Sequence, residues 1–199
     1  METLSLDGGF SEPVLAAQTA FRAIMDALAN PGTIRKLGTP PGAPAGLPAG
    51  LAAVALTLCD HDSPLWLDPG LAEDEAVAAW LRFHTGAPLV TDPAASDFAL
   101  VADPGALPQL DRFALGSDQY PDRSTTIVLA VPALTGGAAL TFKGPGIRDA
   151  VTVAPQGLPA DFATQWSANH ALFPRGVDLL LVSDTGIAGL PRSSRLMEG

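Results

Sequence analysis

The segment Thr125-Thr126-Ile127-Val128-Leu129-Ala130-Val131 is β-branched or apolar at every position. A strand without polar alternation offers water no face, so it predicts a sheet that is covered on both sides. Val177-Asp178-Leu179-Leu180-Leu181-Val182 repeats the pattern save at Asp178, and Asp184-Thr185-Gly186 then turns the chain toward Ile187 and Leu190, most simply as an antiparallel hairpin. Helical and strand-like segments alternate in the first half, while hairpins dominate the second. The expectation is an α/β fold, a mixed sheet with helices on both faces, in one domain covering residues 1–199.

One joint organises the first half. Val77, Trp80, Leu81 and His84 recur at i, i+3, i+4 and i+7, one stripe of a helix, and Glu73, Asp74 and Glu75 stand where its dipole favours anions. Gly86 reads as the left-handed residue that closes this helix, and Ala87-Pro88-Leu89-Val90 follows as a short strand. Upstream, Ser11 is placed to cap a helix whose apolar face is Val14, Ala17, Phe21, Ile24, Met25 and Leu28, stopped by Asn30-Pro31-Gly32. Residues 33–37 suit a short strand, and the proline- and glycine-rich residues 39–50 a surface loop. Leu51, Val54, Ala55 and Leu58 predict a second helix, and Leu65-Trp66-Leu67 a strand. Further strands are expected at residues 97–101 and 138–142, and helices at 107–113 and 161–171.

The formal net charge of -10 argues against binding nucleic acid or an anionic membrane, both of which select a basic face. No apolar run approaches the ~18 to 20 residues that cross a bilayer, and Met1-Glu2-Thr3-Leu4 lacks the basic start of a signal peptide. A cytoplasmic protein is expected. The single Cys59 supplies neither an intramolecular disulfide nor an iron-sulfur cluster and reads as a small core residue.

No phosphate loop, dinucleotide fingerprint or HExxH zinc motif is present. Catalytic residues are therefore left unassigned. Asp60-His61-Asp62 gathers three polar side chains after a helix, as ordinary turn residues do, or as ligands that would join His84 in a metal site. His84 itself suits core packing, contact with the free carbonyls of its helix end, or a ligand contact. Gly144-Pro145-Gly146 after a strand suits a tight turn or a backbone cradle for an anion. Arg82 and Arg192 are candidates for anion or partner contacts, because guanidinium offers fixed bidentate geometry. Their alternative is a surface ion pair.

A family resemblance emerges from the order of these blocks. Phe21-Arg22 with Met25 and Pro31-Gly32, then Leu56-Thr57-Leu58 with Asp60, Asp62, Pro64 and Trp66-Leu67, lead into Leu81-Arg82-Phe83-His84-Thr85 and Ala87-Pro88-Leu89-Val90. Gly144-Pro145-Gly146-Ile147, Phe173-Pro174 with Gly176 and Asp178-Leu179, and Leu190-Pro191-Arg192 complete a series that resembles the H subunits of bacterial carbon-phosphorus lyase, the PhnH family. The likeness runs over residues 13–192, and its most specific block is 81–90.

The resemblance implies a subunit that acts in phosphonate use with G and I subunits and an associated L protein. In that family, adenine of ATP is displaced by a phosphonate to give a ribose 1-phosphonate 5-triphosphate, and a separate radical subunit, J, later breaks the carbon-phosphorus bond. It further implies a three-layer α/β/α fold like that of pyridoxal-phosphate-dependent transferases without the cofactor. No cofactor is expected on this chain alone, ATP is the complex's co-substrate, and the isolated chain is expected to be a homodimer. Two alternatives stand beside it: a stand-alone metal-dependent hydrolase using Asp60, Asp62 and His84, and a binding module that presents nucleotide or phosphonate.

Overall fold

The computed structural model describes residues 8–38, 40, 42–184 and 186–197. The Met1-Glu2-Thr3-Leu4 start, Thr39 at the head of the expected loop and Thr185 in the expected hairpin turn lie outside the described residues. In chain order the described elements are α1 (Pro13–Ala29), α2 (Ala49–Leu58), β1 (Leu65–Leu67), α3 (Pro69–Glu73), α4 (Glu75–Thr85), β2 (Leu89–Val90) and β3 (Phe98–Val101). There follow β4 (Thr126–Ala130), β5 (Leu140–Lys143), β6 (Val151–Val153), α5 (Phe162–Ala171), β7 (Asp178–Ser183), β8 (Gly186–Leu190) and β9 (Arg195–Leu196). No helix among the described residues is long and apolar enough to cross a membrane.

The main sheet has the order β2-β1-β3-β4-β7-β8 and is parallel up to β7, with β8 antiparallel at the edge. The mixed α/β fold and the β7–β8 hairpin expected from sequence are therefore present. Alternate residues of each strand supply two separate cores. Leu65, Leu67, Leu100, Val128, Leu180 and Val182 face α1, α2 and α4, where Ile24, Leu51, Val54, Trp80 and Leu81 are buried. Trp66, Ala99, Val101, Ile127, Leu129, Leu179 and Leu181 face the other way, onto Phe162 and Trp166 of α5 and onto Phe142. Double coverage is what the non-alternating β4 and β7 sequences require.

The second face is not a plain helical layer. Beside α5 it carries a small antiparallel sheet, β6-β5-β9, which pairs Thr141 with Thr152 and Phe142 with Leu196. Strands β6 and β9 are too short to show a period in sequence. Two expected elements shrink: residues 33–37 contribute one bridge, Arg35 to Ile187, and residues 107–113 hold a single 3-10 turn at Leu110–Arg112.

Helix α1 departs from expectation in its start and its phase. It begins at Pro13 after Glu12, with no side-chain cap, so Ser11 is not the cap. Its buried residues are Ala20, Ile24 and Ala27, whereas Val14, Phe21 and Met25 of the expected inner face are exposed. The cause lies in β8. A Cβ on Gly189 would stand 2.6 Å from the Ala27 carbonyl oxygen, so helix and strand approach backbone to backbone, and only small residues fit between them.

Candidate functional site

Helix α4 forms as its sequence dictates. Asp74 accepts from the amides of Ala76 and Val77, and Gly86 closes the helix at φ 72°, its amide donating to Arg82 O at 3.0 Å. Trp80 and Leu81 are fully buried. His84 is half-buried, its ring 4.4 Å from that of Trp80 and 5.0 Å from Phe83, and Arg82 points to solvent. An aromatic contact of this kind contributes about 0.5–1.5 kcal/mol. His84→Ala is therefore expected to lower the thermal midpoint by a few degrees and to leave the activity of any assembly intact. Calorimetry beside an activity assay checks this, and an unchanged midpoint with lost activity would make His84 a ligand contact.

The Asp60-His61-Asp62 turn packs against that helix end, since a Cβ on Gly86 would lie 3.6 Å from His61 Cβ. Its polar groups are used locally. Asp60 accepts from the Ser63 hydroxyl at 2.8 Å and the Asp62 amide at 3.0 Å, and these bonds, the first above all, hold its carboxyl below the ordinary carboxylate range. His61 and Asp62 meet at 3.3 Å in the open. Among the described residues no group of three or more His, Cys, Asp or Glu is arranged to hold a metal. The metal-hydrolase alternative loses its ligand set: the turn residues spend their geometry on closing the turn. Burial, reinforced by the Asp60 charge, pushes the Cys59 thiol up to about 12, and Cys59 is buried as a small core residue.

Gly144 and Gly146 are packing residues. A Cβ on Gly144 would stand 2.8 Å from Ser193 O, and Gly146, at φ 79°, would drive one into Ala29 O. The turn thus abuts both the end of α1 and the segment after β8. Arg192 lies in that segment and is occupied. Its guanidinium meets Asp178 at 2.8 Å and donates to the carbonyls of Gly176 and Pro121, while its own amide donates to Asp178 Oδ1 at 2.7 Å. His170 Nδ1 contacts Arg192 O at 2.9 Å, and Trp166 Nε1 donates to Ser194 O at 2.8 Å. The structure does not bring Arg82, His84, Arg192 and the two glycines together around one cavity.

Sequence reasoning missed the carboxyl edge of the sheet. The connection from β1 passes through α3 and α4 to β2 on one side, while β3 leads to β4 on the other, so β1 and β3 flank the point where open sheets take ligands. Asp68 sits there, 1% exposed. Its carboxylate caps α3 through Leu71 N at 2.9 Å and reaches the amides that follow β3, Ala102 at 2.6 Å and Asp103 at 3.2 Å. The Asp68-Pro69 pair was a readable cap signal. Next to it a crevice of about 340 Å3 opens over β3, β4 and β7, lined by Gly50, Asp103, Pro132, Ser183 and Asp184. The first turn of α2, uncapped by any side chain, meets it, and Gly50 is needed because a Cβ would stand 2.9 Å from Val182 Cβ.

These features define an open-sheet α/β protein with a ligand-sized crevice at the carboxyl edge of its parallel strands. The sequence profile described as "Bacterial phosphonate metabolism protein (PhnH)" matches residues 8–197. The chain belongs to that family. It is 47% identical over 189 residues to a Rhizobium meliloti (strain 1021) protein named "Alpha-D-ribose 1-methylphosphonate 5-triphosphate synthase subunit PhnH", covering 95% of this chain and 94% of the relative. It is 31% identical over 179 residues to the "Putative C-P lyase subunit protein HtxG" of Stutzerimonas stutzeri, covering 90% of this chain and 85% of the relative.

Proposed function

We propose that this chain is a subunit of an α-D-ribose 1-methylphosphonate 5-triphosphate synthase, the part of the carbon-phosphorus lyase system that exchanges adenine of ATP for a phosphonate. The observation that carries the reading is the 47% identity to the Rhizobium meliloti subunit, which extends over 95% of this chain and 94% of the relative. The role is one of assembly and of shaping a ligand site rather than of catalysis by the chain alone. The dispersal of the candidate side chains supports it: Arg192 and Asp60 are engaged within the fold, and the crevice lining brings the carboxylates Asp103 and Asp184. The proposal includes G, I and J subunits and the L protein as partners, a homodimer in isolation, ATP as co-substrate with no cofactor on this chain, and a cytoplasmic setting. It also takes residues 1–199 as one domain, related in architecture to the pyridoxal-phosphate-dependent transferases.

The test follows adenine release from ATP and methylphosphonate. The isolated chain is expected to release none, a mixture of G, I and L little, and the mixture completed with this chain at least about tenfold more, a change worth ~1.4 kcal/mol of barrier. Equal rates with and without this chain would remove it from the step. Full activity of the chain alone would make it the catalyst.

A further inference from the structure

Three large apolar side chains of α1 point outward, while Ile24 is buried. Val14, Phe21 and Met25 fall at i, i+7 and i+11, one line along the helix, and are 70%, 48% and 47% exposed. Alongside them runs a groove made of two abutting cavities. The first, about 560 Å3, involves Phe10, Leu15 and Thr19, and the second, about 630 Å3, continues from the same Thr19 to Phe21, Arg22, Met25 and Lys36. Helix α1 has 17 residues and spans roughly 25 Å, more than a nucleotide or a phosphonate would cover. An apolar line of this length beside a groove fits an amphipathic helix laid along it.

The charge of the groove identifies the kind of helix. Arg22, Arg35 and Lys36 line its second half, in a protein of net charge -10 that has eleven cationic residues in all. Asp26, the acidic residue there, is taken by Arg35 at 2.9 Å, and among the described residues neither Arg22 nor Lys36 forms a salt bridge. A second copy of this chain would bring the same two cations against these and add its own net charge of -10. The second half of the groove, basic on an acidic body, instead complements carboxylates, while Glu12 and Leu15 line the first half.

We infer that the α1 groove docks an acidic amphipathic helix of a partner subunit, with apolar side chains on Val14, Phe21 and Met25 and carboxylates on Arg22 and Lys36. The inference rests on the subunit reading above. The test uses the full chain and purified G, I and J subunits, with affinity measured by sedimentation or interferometry and amide hydrogen exchange read on residues 13–29. Two double variants are compared with wild type, Arg22→Glu with Lys36→Glu and Phe21→Ser with Met25→Ser, all at exposed positions. Both are expected to keep the wild-type thermal midpoint and to bind the partners at least about tenfold more weakly. The wild-type affinity should fall with salt, the charge variant should lose that dependence, and exchange over α1 should slow in the complex. Wild-type affinity in both variants overturns the inference, as does a variant that turns an isolated dimer into a monomer while partner affinity holds, because a second copy then occupies the groove. A wild-type chain that joins no partner overturns the subunit reading itself.

Discussion

Asp68→Ala is expected to lower stability by about 3–4 kcal/mol. Asp68 is almost wholly buried, and its two oxygens take three backbone amides from two different segments: Leu71 N of α3, and Ala102 and Asp103 N after β3. Alanine leaves all three donors without an acceptor, and each buried orphan costs about 1–3 kcal/mol, less than additively because the segment relaxes. For a chain of this length the thermal midpoint should fall by roughly 10 °C. Asp68→Asn keeps one acceptor oxygen and sets an amide group against the remaining donors, so it should recover about 1 kcal/mol, the ordinary contribution of a helix cap. Urea denaturation of the three proteins measures this. An alanine variant within about 1 kcal/mol of wild type would show that the amides of Ala102 and Asp103 at the β1–β3 switch point find other acceptors.

The carboxylate also explains why this site was hidden in sequence. Asp68-Pro69 announces a helix start, but the two amides that make the residue structural belong to positions 34 and 35 residues further on. Only the parallel pairing of β1 with β3 brings them there. The elements that were legible are those whose signal is local and repeated: the doubly buried β4 and β7, the stripe of α4, and Gly86 at the helix end. Helix α1 was legible as a helix and misread in phase. Two apolar lines run along it, and the line of larger side chains drew the reading inward. Its close approach to Gly189 demands the small line, Ala20 and Ala27 with Ile24, and turns Val14, Phe21 and Met25 out. Ile24 of the expected face is buried, but a helix that also shows Val14, Phe21 and Met25 has a second surface to satisfy.

Arg192 and the two glycines of the 144–146 turn were left open between two readings for a related reason. Motif order marked them as sites of importance, and sequence offers no way to tell whether a guanidinium or a tight turn serves a ligand or the fold. The structure separates the cases by what lies against each group: Ser193 O against Gly144, Ala29 O against Gly146, and Asp178 with two carbonyls against Arg192. Arg82 is the opposite case, exposed on the last turn of α4 and free of any salt bridge among the described residues. Of the two arginines it remains the candidate for a partner contact.

Arg192→Ala should then act on stability and not on chemistry. The pair with Asp178 is shielded, the side chains being 17% and 18% exposed, so solvent screens it far less than a surface bridge. Truncation strips Asp178 of its cation and removes the donor of two carbonyls, those of Gly176 before β7 and of Pro121 before β4. Removing one partner of a fully buried pair costs about 3–5 kcal/mol, and partial exposure brings the expected loss here to about 2–4 kcal/mol. Arg192→Lys keeps the charge but replaces a planar fork by a point donor that cannot serve a carboxylate and two carbonyls at their present positions, so it should recover less than half of the loss. Both variants are to be compared by calorimetry and by adenine release from the completed mixture at a temperature well below either midpoint. The expected pattern is a midpoint lowered by roughly 5–10 °C with release close to wild type. A midpoint unchanged while release collapses would mean that the guanidinium leaves Asp178 for an anion in the assembled complex, and Arg192 would return to the ligand contacts that the sequence alone suggested.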